Sequence, residues 1–241
     1  MNAVRMSAVH TIIGSLVVSL AISGAIGTQG DTNKPQQTPA METIKLPKPN
    51  TRGTTSLEET LVKRRSVRAY SGEPLTIEEV SQLLWAAQGI TEWAKGLRTA
   101  PSAGALFPLE IYIVAGNVTG LAKGIYKYRP HVHELVKVAG QDVRKELSRA
   151  ALEQESLGDA PAVIVFSAVI ERTSVKYGTR STRYVQMEVG HAAQNVFLQA
   201  TALNLGTVVV GAFYDDDVKK VIGMDAKESA LYLMPVGRPK K

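Results

Sequence analysis

From residue 56 onward the apolar positions recur with two periods, and each change of period marks an element. Ser56-Leu57-Glu58-Glu59 sets a hydroxyl at a helix N-cap and a carboxylate three residues on, a capping box opening a helix that runs to about Lys63. Thr76-Ile77-Glu78-Glu79 repeats the device. Ile77, Val80, Leu83, Leu84 and Ala87 then fall on one helical face until Gly89 stops the element. The pattern predicts a strand over residues 109–114 and a hairpin of 125–128 and 132–138 around Arg129-Pro130-His131. A helix over 142–155 and an apolar strand over 162–168, introduced by Pro161, follow. Residues 184–204 carry the longest helical pattern, stopped by Gly206. They lead into the β-branched run 207–210, which suits a strand covered on both faces. A short helix with an acidic start over 215–222 is closed by Gly223, and a last strand over 230–236 precedes Gly237-Arg238-Pro239. The sum is an α+β domain over 56–241 without internal repeats.

The first 55 residues follow a different pattern. One basic residue, Arg5, precedes a mostly apolar run at 12–26, and Ser23, Ala25 and Gly27 fit the small-x-small rule for cleavage, so residues 1–27 read as an export signal. Extended back to Met6 the segment reaches about 20 residues, the length of one bilayer span, so an uncleaved anchor is the alternative. Either reading makes the domain extracytoplasmic, exported or membrane-anchored. No Arg-Arg pair precedes the run and no Cys follows it, which sets aside twin-arginine export and lipoprotein anchoring. Residues 28–55 hold four prolines among Gln, Thr, Asn and Lys, the composition of a disordered linker.

Composition narrows the chemistry by exclusion. A chain that is 44% hydrophobic and 21% charged is globular rather than disordered. The net charge of +6 comes with four Phe, two Trp and no basic helix, which fits small anions better than nucleic acid. Cysteine is absent, and with it go disulfides, thiolate metal sites, iron–sulfur clusters and thiol nucleophiles. The dinucleotide, P-loop, nucleophile-elbow and zincin motifs are missing as well.

One stretch concentrates the charge. Lys63-Arg64-Arg65-Ser66-Val67-Arg68-Ala69-Tyr70 places three guanidiniums and a hydroxyl at a helix exit. Guanidinium forks match phosphate oxygens, and in an extended chain Arg64, Ser66 and Arg68 project to one side while Arg65 points away. The competing reading is a solvated basic edge. A second candidate is the small-residue run Pro101-Ser102-Ala103-Gly104-Ala105 before Phe107-Pro108, where backbone can approach a flat ligand; a plain loop is the alternative. A third is Val209-Val210-Gly211-Ala212-Phe213, a strand end exposing amides or simply a turn. His131 and His133 alternate in the hairpin without a third ligand and read as structural, and His191 reads as a partly buried helix residue with a backbone partner. Tyr177 and Tyr184 are candidate proton donors.

In order, RRSVRAY, RTAPSAGALFPLEIYIV, EVGHAAQNVFLQATALNLG, VVVGAF and PVGRP resemble the FMN-dependent nitroreductase superfamily over residues 56–238, closest to its SagB-type dehydrogenases, which include azoline oxidases. The resemblance implies a nitroreductase-like fold, a central mostly antiparallel sheet flanked by helices, forming an intertwined homodimer with FMN at the interface. Positions matching Arg64, Ser66 and Arg238, with Arg65 beside them, hold the phosphate and ribityl. Arg68 reaches toward the pyrimidine edge. Pro101, Ser102, Ala103, Gly104 and Ala105 lie along the flavin, given by one subunit to a site shared with the other. Gly211, after Val210, presents its N–H near flavin N5. Many nitroaromatic-reducing members carry Asn where this chain has Ala105, which pulls the reading toward the SagB-type branch and leaves the substrate open.

The expected function is an FMN oxidoreductase passing two electrons between NAD(P)H and a small organic substrate, with the protein supplying orientation and electrostatics. Arg68, joined by Arg98, would stabilise negative charge on the N1/O2 side of the reduced ring. No residue is singled out as catalytic and no metal is expected. The alternative is a flavin-binding or ligand-sequestering module of the same fold. Expected partners are a second copy, NAD(P)H and the substrate, with no nucleic acid and membrane contact only through the N-terminal segment.

Overall fold

The computed structural model describes residues 42–240. In chain order the elements are β1 (Thr43–Lys45), α1 (Leu57–Lys63), β2 (Leu75–Thr76), α2 (Ile77–Gln88), β3 (Ile90–Glu92), β4 (Leu97–Arg98), β5 (Leu109–Ala115), β6 (Val118–Thr119), β7 (Gly124–Arg129), β8 (Glu134–Ala139), α3 (Arg144–Ala150), α4 (Glu155–Asp159), β9 (Ala162–Val169), α5 (Glu171–Tyr177), α6 (Ser181–Ala202), β10 (Gly206–Thr207), α7 (Asp215–Ile222) and β11 (Glu228–Gly237). Seven strands form one sheet in the order β1-β8-β7-β5-β9-β11-β10, and every pairing in it is antiparallel. The sheet is α+β in the expected sense.

Period-2 alternation sorts side chains to the two faces of this sheet. Ile111 and Ile113 of β5, Tyr126 of β7, Ile164 and Phe166 of β9 and Met234 of β11 pack with α2 and α6. Tyr112 and Val114, Val163 and Val165, and Leu233 pack on the other side with α3, α4 and α7. Because both faces are covered, β9 is buried almost end to end, which is why its sequence is a continuous apolar run. Both predicted caps form: Ser56 Oγ accepts from Glu59 N at 3.1 Å, and Thr76 and Glu79 close a reciprocal box at 3.2 and 2.9 Å.

Three expectations are corrected and one element was not anticipated. The disordered linker 28–55 does not hold over its described part: Thr43–Lys45 pair with β8, Leu46 is 4% exposed, and Asn50 exchanges two hydrogen bonds with Gln82. The alternation of Ile44 and Leu46 is only a few residues long and is masked by the prolines around it. Those prolines keep the strap extended, and the Pro47 carbonyl receives Ser81 Oγ at 2.6 Å. Residues 1–41, with the export or anchor segment, lie outside the described residues. The helix over 142–155 is two helices, because Leu152 and Glu153 adopt left-handed φ of 58° and 59° between α3 and α4. The run 207–210 is a sheet edge, with only Gly206–Thr207 in the ladder and Val210 bridging Leu233 once. Finally, α5 carries no periodicity that announced it.

Candidate functional site

The basic stretch is sewn onto the sheet edge by backbone. Ser66 bridges Thr207, Val67 N donates to Thr207 O at 2.9 Å, and farther on Ser71 N donates to Arg238 O and Lys240 N to Ala69 O, each at 3.0 Å. Glycine is required where they cross: a Cβ on Gly206 would lie 2.6 Å from the Cβ of Val67. Three distant sequence motifs are thereby joined.

Their side chains divide into free and engaged. Ser66 and Arg68 are exposed, and the half-buried Arg64 lays its guanidinium over the Phe197 ring at 5.2 Å. Arg65 instead turns back, its Nη1 donating to Val62 O at 2.9 Å and Arg64 O at 2.8 Å, so it closes the C-terminus of α1. Arg238 is held by Glu79 through contacts of 3.0, 3.0 and 3.2 Å, with Glu73 at 3.4 Å. Glu79 looked only like a cap in the sequence; here one carboxylate both caps α2 and neutralises Arg238.

The small-residue loop is bent by backbone that few residues adopt. Gly104, Ala105 and Phe107 have φ of 63°, 55° and 45°, and Ser102 Oγ accepts from Phe107 N at 2.9 Å. A Cβ on Gly104 would meet Tyr177 Oη at 3.0 Å and Lys176 Nζ at 3.1 Å, so the last turn of α5 stands over the loop. Tyr177 packs edge-on against Tyr184 at 4.9 Å. Lys176, which the sequence reading missed, carries no local signal beyond its neighbour. Arg172 Nη1 donates to Phe107 O at 3.3 Å and pairs with Glu110, which pairs with Lys127 at 3.1 Å. Lys127 in turn reaches the buried Glu228 at 2.7 Å. An ion-pair chain therefore ties the loop to the middle of the sheet.

Beneath the loop lies a second buried carboxyl. Glu188 on α6 is 2% exposed; burial pushes its pKa up to about 7, while Ser102, Arg98 and Gln88 pull it back. Arg98 is not a free charge for a ring edge. It stacks on Phe107 at 4.5 Å, donates to Gln88 Oε1 at 3.1 Å, and burial lowers its pKa.

Gly211 follows buried Val210, is exposed, and opens onto a cavity of about 500 Å³ that Gln186, Phe213, Ser229 and Tyr232 also line. A larger groove of about 900 Å³ between α2, α6 and the strap contains none of the candidate residues. His133 sits in the turn, not on a strand, 2.8 Å from Ser81 Oγ and from Tyr128 Oη and 2.9 Å from Pro47 O. His191 is exposed on α6 rather than partly buried. Among the described residues no acidic or histidine cluster suits a metal, and no helix is long and apolar enough to cross a membrane.

Within one chain the loop and the basic stretch do not meet. Glu188 faces the loop and Phe197 faces Arg64, and nine residues of α-helix put them about 13 Å apart along the axis and on opposite sides. The exposed stripe Arg183, Met187, Gly190, His191 and Gln194 runs between those two sides.

Residues 61–238 match the nitroreductase family model. The chain belongs to that family. A nitroreductase-family protein of Methanocaldococcus jannaschii is 48% identical over 209 residues, covering 87% of this chain and 98% of that one. The microcin B17-processing protein McbC of Escherichia coli is 29% identical over 163 residues, 65% of this chain and 59% of its own length, which bears out the likeness to the SagB-type branch. Among solved structures, one from Anabaena variabilis has a TM-score of 0.71 at 34% identity, covering 84% of this chain and 42% of that one. The Vibrio harveyi NADPH:FMN oxidoreductase complexed with NAD+ has a TM-score of 0.56 at 22% identity, covering 77% and 69%, and shares the fold. Flavin-dependent oxidoreductase chemistry is typical of the nitroreductase family.

Proposed function

We propose that this protein is an FMN-dependent oxidoreductase that passes two electrons between a reduced nicotinamide and a small organic substrate, at a site completed by a second copy of the chain. The observation that carries the reading is the placement of the two anchors on opposite sides of α6. A phosphate-binding face and a ring-facing loop so divided serve one ligand only if each comes from a different copy. The exposed stripe between them supports this, since Gly190 faces open space and Met187 is 53% exposed. A two-fold axis running along such a stripe, parallel to α6, brings the loop side of one helix toward the Arg64 side of the other.

The residues present fit the cofactor. Arg64, Ser66 and Arg68 are a phosphate donor set that is not consumed by ion pairs among the described residues, and the exposed Gly211 leaves backbone bare for a planar ring. Bound FMN supplies the hydride chemistry. Arg68 places positive charge beside the ring, and Lys176 Nζ and Tyr177 Oη over Gly104 hold protons for a substrate atom at the loop. The finer assignment, a SagB-type dehydrogenase, rests on the likeness to McbC and on Ala105.

Purified full-length chain titrated with FMN tests the reading. It should be yellow, bleach with NADH or NADPH, and scatter light as twice the 26.0 kDa chain less any segment removed. Yellow protein that no reductant bleaches indicates a binding module, and a monomer that holds FMN tightly overturns the shared site.

A further inference from the structure

Phe107 sits in the ring-facing loop with a φ of 45°, in the left-handed region that a bulky side chain keeps only when its surroundings hold it there. All three of its groups are held. Ser102 Oγ accepts from its N–H at 2.9 Å, the Arg98 guanidinium covers its ring at 4.5 Å, and Arg172 Nη1 donates to its carbonyl at 3.3 Å. The first two holds are local in sequence, whereas the third arrives from α5, 65 residues on in the chain. Arg172 has a second arm. Its Nη2 pairs with Glu110 of β5, and Glu110 is tied through Lys127 to the buried Glu228, so one guanidinium brackets the loop backbone against the central sheet.

The helix that carries Arg172 has little else to fix it. Thr173 is buried, but Arg172, Val175 and Lys176 are exposed, and the C-terminal end rests on Tyr184 through Tyr177. With so little apolar area removed from water, the polar contacts decide where α5 lies. Arg172 and Lys176 stand four residues apart on one face. The face that grips Phe107 at one end therefore holds the ammonium over Gly104 at the other.

We propose that Arg172 is a positioning residue: by bridging Phe107 O and Glu110 it fixes residues 102–107 and, through the same helix face, the height of Lys176 and Tyr177 above Gly104. This rests on the reading that the loop lies along FMN. The planar fork suits the task, because two arms at a fixed angle reach two acceptors at once, which a single ammonium does not. The inner end of the bridge is shielded. The Glu110 side chain is 15% exposed against 44% for Arg172, so the pair keeps strength that a fully exposed pair loses to solvent and salt.

Hydrogen–deuterium exchange on the full chain without flavin tests this. Ala105 N and Phe107 N are bonded within the loop, to Ser102 O at 3.1 Å and Ser102 Oγ at 2.9 Å, so loosening registers there as faster exchange. Arg172→Met should speed exchange over residues 102–107 and 171–177 by at least about fivefold while β9 keeps its parental rates. Glu110→Gln should loosen the loop as well, because its carboxylate orients Arg172, and adding it to Arg172→Met should change the rate by less than about twofold. Unmoved loop rates in Arg172→Met, equal acceleration in β9, or effects of the two substitutions that multiply overturn the proposal. If Arg172→Met does not fold, Arg172→Lys keeps a charge for Glu110 without the second arm and should loosen the same segment; an unmoved segment also overturns it. Visible circular dichroism of bound FMN reads the site itself. The band arises from the asymmetric surroundings of the ring, so Arg172→Met should lose most of it, and an unchanged band overturns the positioning role. A parent that takes up no flavin, with a loop that Arg172→Met loosens, refutes the flavin site alone. A yellow parent with a loop that Arg172→Met does not move refutes the role of Arg172 alone.

Discussion

Glu188 and Phe197 stand nine residues apart on α6, half a turn out of phase, one against the loop and the other under Arg64. Mixed dimers expose the consequence. A chain with Arg64→Ala and a chain with Gly104→Val should each bind FMN poorly alone. Coexpressed, their heterodimer has one site built from the intact Arg64 of one copy and the intact loop of the other, so one of its two sites should bind at parental strength. Flavin titration of tagged, purified heterodimer checks this, and two impaired sites would place both anchors on one chain's site.

The arginines of the basic stretch should fail differently. Arg64→Ala removes a charge-assisted phosphate contact, a class worth ~1.5–3 kcal/mol, so FMN affinity should fall about ten- to a hundredfold while riboflavin binding barely changes. Arg65→Ala loses two bonds to the end of α1 and should lower thermal stability while leaving FMN affinity within about twofold. Calorimetry on both variants with both ligands separates the roles.

Glu79→Gln should alter the same site from behind. It weakens the carboxylate pairing of Arg238, freeing that guanidinium for a phosphate, at a cost of about 1 kcal/mol in the cap of α2. FMN affinity should rise or hold while the melting temperature falls. A loss of affinity without loss of stability would mean that Glu79 orients Arg238 toward the ligand.

The strap before α1 should behave as part of the domain. Leu46→Ala opens a buried site and should cost ~2–4 kcal/mol, whereas Lys45→Ala, exposed next to it at the end of β1, should stay within about 0.5 kcal/mol. Denaturant melts compare the two directly.

Stability should depend on pH in two opposed ways. Glu188 has a folded pKa of about 7, above its ordinary 4.5, so its cost is absent below 4.5, accumulates as pH rises, and is complete above 7. That is on the order of 3 kcal/mol. His133 has its pKa lowered by burial from 6.5, so its cost appears as pH falls below that value. Melting temperatures from about pH 5 to 8 should show Glu188→Gln gaining on the parent as pH rises, and His133→Gln gaining on it as pH falls.

The sequence by itself determined the elements whose instructions are local and long. The N-cap at Ser56, the capping box at Thr76, the 3.6-residue periods of α2 and α6, the apolar runs of β5 and β9 and the stop at Gly223 all act within a few residues and formed where predicted, although Glu59 pairs with Lys63 rather than closing a box on Ser56. Only the tertiary structure decided the rest. A three-residue strand such as β1 has too few positions to show a period, and it exists because β8 offers it an edge. The fate of each arginine was equally hidden. Arg64, Arg65 and Arg238 carry the same fork, and what separates them is whether Phe197, a helix end or Glu79 stands within reach. Glu188 read as one residue of a helix; its position beneath Ser102 depends on how α6 packs under a loop more than eighty residues earlier in the chain, and no local pattern encodes that contact.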